Sequence, residues 1–289
     1  TAFTSDQLNN IQGFGIAGFR KDHQQSMFIK FGDSAGAKKL VEWLQPQVAS
    51  AWEVGEFNNV FSEVRARTGR EILTATWTAV MFSATGLRLL GAALSASLTE
   101  GESAFAAGMA NRAAQIGDTG PRDVPSSWLL PFQTAGGIDM AVVIAADRPE
   151  DLEHACQALS EKVSQCHATV AFEERGATLP EPLKGHEHFG FRDGGSQPVI
   201  DGYQSPPAAD EPPAVAPGEF VLGYPDGSGV PPVAVDPLLA DGSYVVFQRV
   251  TQTVAAFRAT AAAGFPGPNP PLPPPPAPRR ARAPSPTPS

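Results

Sequence analysis

The sequence predicts an α+β protein, with a ferredoxin-like lobe followed by an incomplete second ferredoxin-like lobe. Residues 27–172 alternate between period-two and helical apolar patterns in the order strand, helix, strand, helices, strand, helix, strand. That order is the β-α-β-β-α-β plan of a ferredoxin-like unit. After residue 172 the chain becomes glycine-rich and contains two further strand-like segments, which would begin a second lobe. A chain of 289 residues, 42% of them hydrophobic, is long enough for one large domain or two small ones.

The first strand and helix follow from the spacing of apolar residues. Residues 27–31 alternate, with Met27, Ile29 and Phe31 on one face, which predicts a strand with one well-buried side. Asp33 then offers an N-cap to a helix. The apolar side of this helix would consist of Ala37, Leu40, Val41, Leu44 and Val48.

The other elements of the first lobe follow in chain order. Residues 73–82 have one apolar face and one threonine-containing face, which predicts the second strand. Residues 102–116 have a helical pattern, and the near-continuous apolar run at 138–144 predicts the third strand. A helical pattern at 152–166 and a short strand at 168–172 complete the lobe.

The two cysteines, Cys156 and Cys166, lie on the predicted helix at 152–166. At a rise of ~1.5 Å per residue they are roughly 15 Å apart, which is too far for a disulfide. Their spacing does not favour a metal pair either. We therefore expect two buried free thiols that pack as small hydrophobic side chains.

The charge of the chain argues against some classes of partner. The formal net charge is −9, and residues 1–264 are three charges more negative because the only charged residues after them are three arginines. Such an acidic body is not expected to bind nucleic acid or an anionic membrane surface. No apolar run approaches the ~20 residues of a membrane-spanning helix. No signal peptide is visible, which favours a cytoplasmic location, although the chain begins at Thr1 rather than Met.

The changes in composition predict three regions. The ferredoxin-like lobe would occupy residues 1–180, and residues 181–264 would hold a glycine-rich loop and the start of the second lobe. Strand-like patterns at 220–224 and 244–250 belong to that start. Residues 265–289 hold 12 of the 29 prolines and are predicted to be a disordered tail.

The segment with the clearest chemical content surrounds Asp193, which lies among aromatic residues and glycines. Gly190 and Gly194 allow positive φ angles and a close approach of the backbone to a flat ligand. A carboxylate held beside Phe191 can have a raised pKa and serve in proton transfer. An ordinary Gly-Asp turn is the alternative that these residues leave open.

At these residues the sequence resembles the dye-decolorizing peroxidases, a family of haem enzymes. The G-x-x-D-G motif of the family is matched by residues 190–194, with Phe189 before it and residues 196–198 after it also typical. The resemblance covers about residues 9–257. Four further blocks occur in the family's order: Asn10-Ile11-Gln12-Gly13 with Gly18-Phe19, Phe105-x-x-Gly108-Met109-x-x-Arg112-Ala113 with Gly117-Asp118, Pro217-Gly218-Glu219-Phe220 with Gly223-Tyr224, and Asp241-Gly242-Ser243-Tyr244.

The resemblance implies two ferredoxin-like lobes and a haem b cofactor held mainly by the second. Asp193 would be the catalytic acid that takes a proton from hydrogen peroxide and returns it to the departing oxygen. Gly190, Phe191, Gly194 and Ser196 would bind the distal face of the haem. The implied partners are hydrogen peroxide and an aromatic reductant, a dye-like or phenolic molecule oxidised by one-electron steps, and a homo-oligomer is left open.

The sequence departs from the family pattern at its C-terminal end. The family needs a proximal histidine on the iron and a distal arginine. No histidine follows His188, and the arginines after Arg249 are Arg258 and the three of the tail, so no metal ligand is assigned. We expect the C-terminal region to be truncated or frameshifted beyond about Thr260, and the other two reading frames of the gene would test this.

Three interpretations of function therefore stay open. The first is a haem peroxidase, with this chain either active or inactive for want of the proximal-histidine region. The second is a non-catalytic lobe or a partner-binding protein, for which the P-x-x-P match at residues 273–276 is the relevant feature. The third is a haem iron-release protein, in which the same motif would bind haem.

Overall fold

The computed structural model describes residues 3–92, 100–188, 190–192, 198–205, 207, 212–228 and 235–264. They belong to two compact units. The first contains residues 1–177 and 198–247, and the second contains residues 178–197 and 248–289.

The first unit contains a four-stranded antiparallel sheet and seven α-helices among its described residues. The strands are β1 (His23–Lys30), β2 (Thr76–Phe82), β3 (Met140–Ala146) and β4 (Thr169–Ala177). The helices are α1 (Ser5–Asn10), α2 (Gly13–Ile16), α3 (Ser34–Leu44), α4 (Ala51–Thr68), α5 (Ala84–Leu89), α6 (Glu100–Ala107) and α7 (Pro149–Gln165). Short 3₁₀ turns lie at Gln45–Gln47, Ala110–Arg112, Pro125–Ser127 and Pro217–Glu219.

The order of strands in the sheet is β2-β3-β1-β4. Strand β1 pairs antiparallel with both β3 and β4, and β3 pairs antiparallel with β2. Each neighbouring pair therefore has the direction that a β-α-β-β-α-β chain order requires. The predicted ferredoxin-like α+β fold of the first lobe is confirmed.

One face of the sheet packs against α3 and α7. Met27 and Ile29 of β1 are fully buried there, as are Leu40 of α3 and Leu152 of α7. Burying one such side chain contributes roughly 1.5–3 kcal/mol. Helix α3 begins where the sequence predicted, because the Asp33 carboxylate accepts a hydrogen bond from the Gly36 N–H at 2.7 Å.

The opposite face of the sheet carries two aromatic groups. At one end Trp77 packs with Phe19, Phe57 and Val54, the last of which is fully buried on α4. At the other end four phenylalanine rings pack together, and five pairs among them have centroids 4.6–5.8 Å apart. These four are Phe28, Phe132, Phe172 and Phe247.

Helix α4 is an element that the apolar pattern did not predict. Only Ala51 and Val54 of its 18 residues are buried, so it has no continuous apolar stripe. A sequence signal does exist, because Ser50 and Glu53 form a capping box. The helix ends at Gly69, which has a left-handed conformation.

Several predicted boundaries differ from the observed ones. The helix expected at 102–116 is α6, which ends at Ala107 because Gly108 has a φ of 75°. The strand expected at 168–172 extends to Ala177, because β4 pairs with the whole length of β1. Helix α3 ends at Leu44, so Val48 lies beyond it and pairs with Thr78 instead.

The strands predicted at 220–224 and 244–250 are wrong. Residues 217–219 form a 3₁₀ turn, Gly223 has a φ of 90°, and no strand pairs with either segment in the described part of the chain. Residues 198–247 instead belong to the first unit, where Ile200 and Val221 are buried. The predicted division at residues 180 and 264 stays a prediction.

The second unit contains one α-helix among its described residues, α8 (Val254–Gly264), and loop residues 178–188 and 190–192. Among the described residues of the chain, no helix is long and apolar enough to cross a bilayer. The proline-rich tail lies outside the described residues, so its predicted disorder and the predicted frameshift stay predictions.

Candidate functional site

The loop that carries the predicted site forms a tight hairpin in the second unit. His186 and Arg192 pair as an antiparallel bridge, and the Glu187 N–H donates to the Phe191 carbonyl at 2.7 Å. The Gly190 N–H donates to the Glu187 carbonyl at 2.9 Å, and Gly190 has a φ of 98°. This is the left-handed freedom for which the sequence predicted a glycine at this position.

Asp193, Gly194 and Ser196 lie outside the described residues, so their predicted roles stay predictions. The other two predicted site residues are described. Gly190 is buried, and the ring of Phe191 packs edge-on against Phe257 of α8 with centroids 4.8 Å apart.

The histidines offer no described metal site. His23, His154 and His167 belong to the first unit, and the exposed His167 lies 3.5 Å from the Asp33 carboxylate. His188 is exposed, whereas the Nδ1 atom of His186 is buried and has no hydrogen-bond partner in the described part of the second unit. Among the described residues, no three His, Cys, Asp or Glu side chains come together as metal ligands.

Haem is the cofactor that the resemblance implies, and of the residues assigned to its distal face only Gly190 and Phe191 are described. The ring of Phe191 is in contact with Phe257 on one side. His186 and His188 lie in the same short hairpin as Gly190, whereas a haem needs its ligand and its distal residues on opposite faces. We therefore assign no axial ligand.

A hydrogen-bonded cluster in the first unit joins three of the sequence blocks that carry the resemblance. The Asp241 carboxylate accepts hydrogen bonds from the Asn10 side-chain amide and from the Tyr224 hydroxyl, the latter at 2.8 Å. Asp241 has a φ of 61°, a conformation that aspartate tolerates better than most residues. Burial, followed by the Asp241 carboxylate, raises the pKa of Tyr224 to about 12. Sequence analysis found the blocks but missed that they meet.

A buried carboxylate, Asp139, is a second feature that the sequence patterns missed. Its side chain is fully buried and lies 2.9 Å from the Lys30 ammonium. It also accepts hydrogen bonds from the Phe31 N–H at 2.9 Å and the Thr85 hydroxyl at 3.2 Å. Because these donors come from two separate segments, residues 30–31 and Thr85, Asp139 fixes the start of β3 against the end of β1 and the start of α5.

A buried ammonium, Lys21, lies at the other end of the sheet. Its Nζ atom is 2.8 Å from the Asp147 carboxylate, 3.9 Å from the centroid of Trp77 and 4.2 Å from that of Phe57. Asp147 also accepts a hydrogen bond from the Ala75 N–H at 2.8 Å. The arrangement combines an ion pair with two cation–π contacts.

Comparisons with known proteins agree with the fold. Residues 10–178 match the model of the DyP dimeric alpha+beta barrel domain. Peroxidase 2 of Mycetinis scorodonius is 30% identical over 254 residues, which are 86% of this chain and 44% of that protein.

Two solved structures are also similar. An ancestral D-type dye-decolorizing peroxidase is 28% identical with a TM-score of 0.67, over 81% of this chain and 47% of that one. A dye-decolorizing peroxidase in complex with 2,6-dimethoxyphenol is 26% identical with a TM-score of 0.58, over 78% of this chain and 46% of that one.

This chain therefore spans about half the length of the relatives that it matches. The family-domain match at residues 10–178 contains all four strands of the sheet. Since the family's domain model alone matches more than half of the 289 residues, the chain belongs to the dye-decolorizing peroxidase family.

Proposed function

We propose that this chain supplies the catalytic acid of a haem-dependent peroxidase. The peroxidase reduces hydrogen peroxide and oxidises dye-like or phenolic molecules. The observation that carries the proposal is the family domain at residues 10–178, followed by the G-x-x-D-G motif at residues 190–194. The phenol bound to one of the similar structures supports a phenolic reductant.

Asp193 is the residue to which the proposal gives the proton transfer. Its carboxylate would take a proton from one oxygen of hydrogen peroxide and return it to the other, which then leaves as water. Gly190, Phe191, Gly194 and Ser196 would line the distal side of the haem. Haem b, when bound, would supply the redox chemistry. Because no histidine follows His188, we expect the 289 residues alone to hold haem weakly.

The test uses the full chain with added haemin. We expect a Soret band distinct from that of free haemin and a peroxide-dependent bleaching of an anthraquinone dye. Asp193→Asn should lower the bleaching rate at least hundredfold and leave the Soret band in place, because general acid–base catalysis contributes about 10²–10⁴-fold.

The matched control is Asp201→Asn, the same change at an exposed carboxylate eight positions further along the chain. It should bleach the dye at the wild-type rate. Bleaching that is unaffected by Asp193→Asn, or that equals the rate of free haemin, would contradict the proposal.

Two other outcomes would favour the alternative functions. An absorbance spectrum that stays that of free haemin would favour a non-catalytic, partner-binding chain. Accumulation of iron-free porphyrin during incubation with haem would favour haem iron release. Each of these results would replace the peroxidase proposal.

A further inference from the structure

A cavity of about 330 Å³ lies in the first unit, beside the edge strand β2. Its apolar part is formed by Val41 and Leu44 of α3 and by Val80 and Phe82 of β2. Asn9 and Gln45 are among the polar residues that line it. The volume is at the lower end of the range in which proteins bind small organic molecules.

The walls of this cavity are joined by hydrogen bonds. The Gln12 side chain bonds to both the N–H and the carbonyl of Val80, each at 2.9 Å. The Ala49 N–H donates to the Thr78 carbonyl, also at 2.9 Å, and the Ala51 N–H donates to the Ile11 carbonyl at 2.8 Å. Hydrogen bonds thus join residues 11–12, residues 48–51 and β2 to one another. This wall of the cavity is held in place without a ligand.

The chemistry of the lining selects against charged ligands. All its polar lining side chains are amides or a hydroxyl, and none of its lining residues is Asp, Glu, Lys, Arg or His. A charged group that entered would lose water without gaining an opposite charge, which is costly. An uncharged molecule would lose little by the same transfer.

The cavity also has polar side chains that are available to a ligand. The side-chain amides of Asn9 and Gln45 are exposed and make no hydrogen bond within the described part of the chain. Phe82, together with the branched side chains of Val41, Val80 and Leu44, offers an aromatic and aliphatic surface suited to a ring. A hydroxyl or amide on that ring could then bond to the amides.

We propose that this cavity is a binding site for an uncharged, single-ring aromatic molecule that carries a hydroxyl or amide group. The site is formed entirely by residues of the first unit and needs no haem. It goes beyond the proposed peroxidase activity, and either proposal can fail without the other.

The probe is 4-fluorophenol, with 4-fluorobenzoate as a ligand of similar size that is ionised at neutral pH. Both are titrated into the purified 289-residue chain without haem and followed by fluorine NMR. We expect saturable binding of 4-fluorophenol and binding of 4-fluorobenzoate that is at least tenfold weaker. Equal binding of the two, or no binding of 4-fluorophenol, would overturn the proposal.

Val48→Phe places a larger side chain at the half-buried Val48 of the lining and should weaken binding of 4-fluorophenol at least tenfold. Val60→Phe is the control, because Val60 is an exposed residue of α4 that does not line the cavity. The control should bind within twofold of the wild type. Wild-type affinity in a folded Val48→Phe variant would contradict the assigned location.

A second variant keeps the test decisive if Val48→Phe does not fold. Gln45→Cys, at an exposed position, can be labelled with a benzyl thiosulfonate, so that the attached ring occupies the cavity and abolishes binding. Val60→Cys, labelled in the same way, should bind 4-fluorophenol normally. The native Cys156 and Cys166 are buried and should not be labelled. Undiminished binding to labelled Gln45→Cys would exclude this cavity as the site.

Discussion

The sheet of the first unit and the described part of the second unit differ in how they are packed. Leu40 and Leu152 are fully buried between the sheet and its helices, and Asp139 is fully buried with its hydrogen bonds satisfied. In the second unit, Phe257 of α8 is 43% exposed although it contacts Phe191. The residues that specify the fold are therefore largely separate in the chain from the motif proposed to do the chemistry. Substitutions in the first group should lower stability, and substitutions in the motif should lower activity.

The largest effect that would sharpen this contrast is expected at Asp139. Asp139→Ala removes a buried carboxylate and leaves the Phe31 N–H without its acceptor and Lys30 without its counter-ion. We expect the free energy of unfolding to fall by about 4 kcal/mol, because leaving the buried Phe31 N–H unsatisfied costs about 1–3 kcal/mol and the hydrogen bonds from Lys30 and Thr85 to the carboxylate are lost as well. Urea unfolding measured by tryptophan fluorescence reports on this unit, which contains all four tryptophans. Asp123→Ala, at an exposed aspartate, should change the stability by less than about 0.5 kcal/mol.

A direct comparison of the two units comes next. Leu40→Ala should destabilise the first unit by about 3 kcal/mol, because it leaves a cavity under the sheet. Phe257→Ala, at a partly exposed position of the second unit, should cost about 1 kcal/mol or less. Both variants are followed by far-ultraviolet circular dichroism, because the tryptophans report only on the first unit. Equal losses from the two variants would break the contrast between the units.

A smaller effect is expected at Lys21. Lys21→Met keeps the aliphatic stem but removes the ammonium from Asp147 and from the faces of Trp77 and Phe57. We expect a loss of about 2 kcal/mol, because the lysine is buried while Asp147 keeps some access to water. Lys39→Met, on the exposed side of α3, is the control and should be neutral. A neutral Lys21→Met would show that the ammonium contributes little beyond its stem.

The smallest effect is a pH dependence at the start of α3. The Gly36 N–H, followed by His167, holds the pKa of Asp33 below its ordinary value of 3.8. The contribution of the carboxylate is therefore complete above 3.8 and disappears as the pH falls through the lower, folded-state value. The difference in stability between wild type and Asp33→Asn should shrink between about pH 5 and pH 2. Asp226→Asn removes a carboxylate whose pKa is held below 3.8 by hydrogen bonds from Ser228, so this variant should show a pH dependence in the same direction at a site outside the sheet.

The first lobe could be predicted from sequence because its strands and helices repeat apolar residues at regular intervals. Met27, Ile29, Leu40 and Leu152 were all found in this way, and so was the Asp33 cap. Helix α4 was missed because it buries almost nothing along its length. The strands expected at 220–224 and 244–250 were wrongly predicted for the opposite reason. Their residues favour extended structure, but a strand also needs a neighbour, which local sequence does not specify.

The candidate site was less accessible to sequence analysis than the fold. The motif and the left-handed Gly190 could be identified from local residues. The contact of Phe191 with Phe257 joins residues 66 positions apart, and no local pattern indicates it. The same holds for Lys30 with Asp139, since a lysine on a strand is normally assigned to the solvent side.

The hydrogen bond between Asn10 and Asp241 has a consequence for how the protein is made, because it joins residues 231 positions apart. Helix α1 also lies against residues from the far part of the unit, since Leu8 packs in the cluster that contains Ile200 and Val221. During synthesis the first ten residues leave the ribosome long before their partners do. The contacts of Asn10 with Asp241 and of Leu8 with the cluster of Ile200 and Val221 can therefore form only after those distant residues have been synthesised, so an amino-terminal fusion would be attached beside contacts that form late.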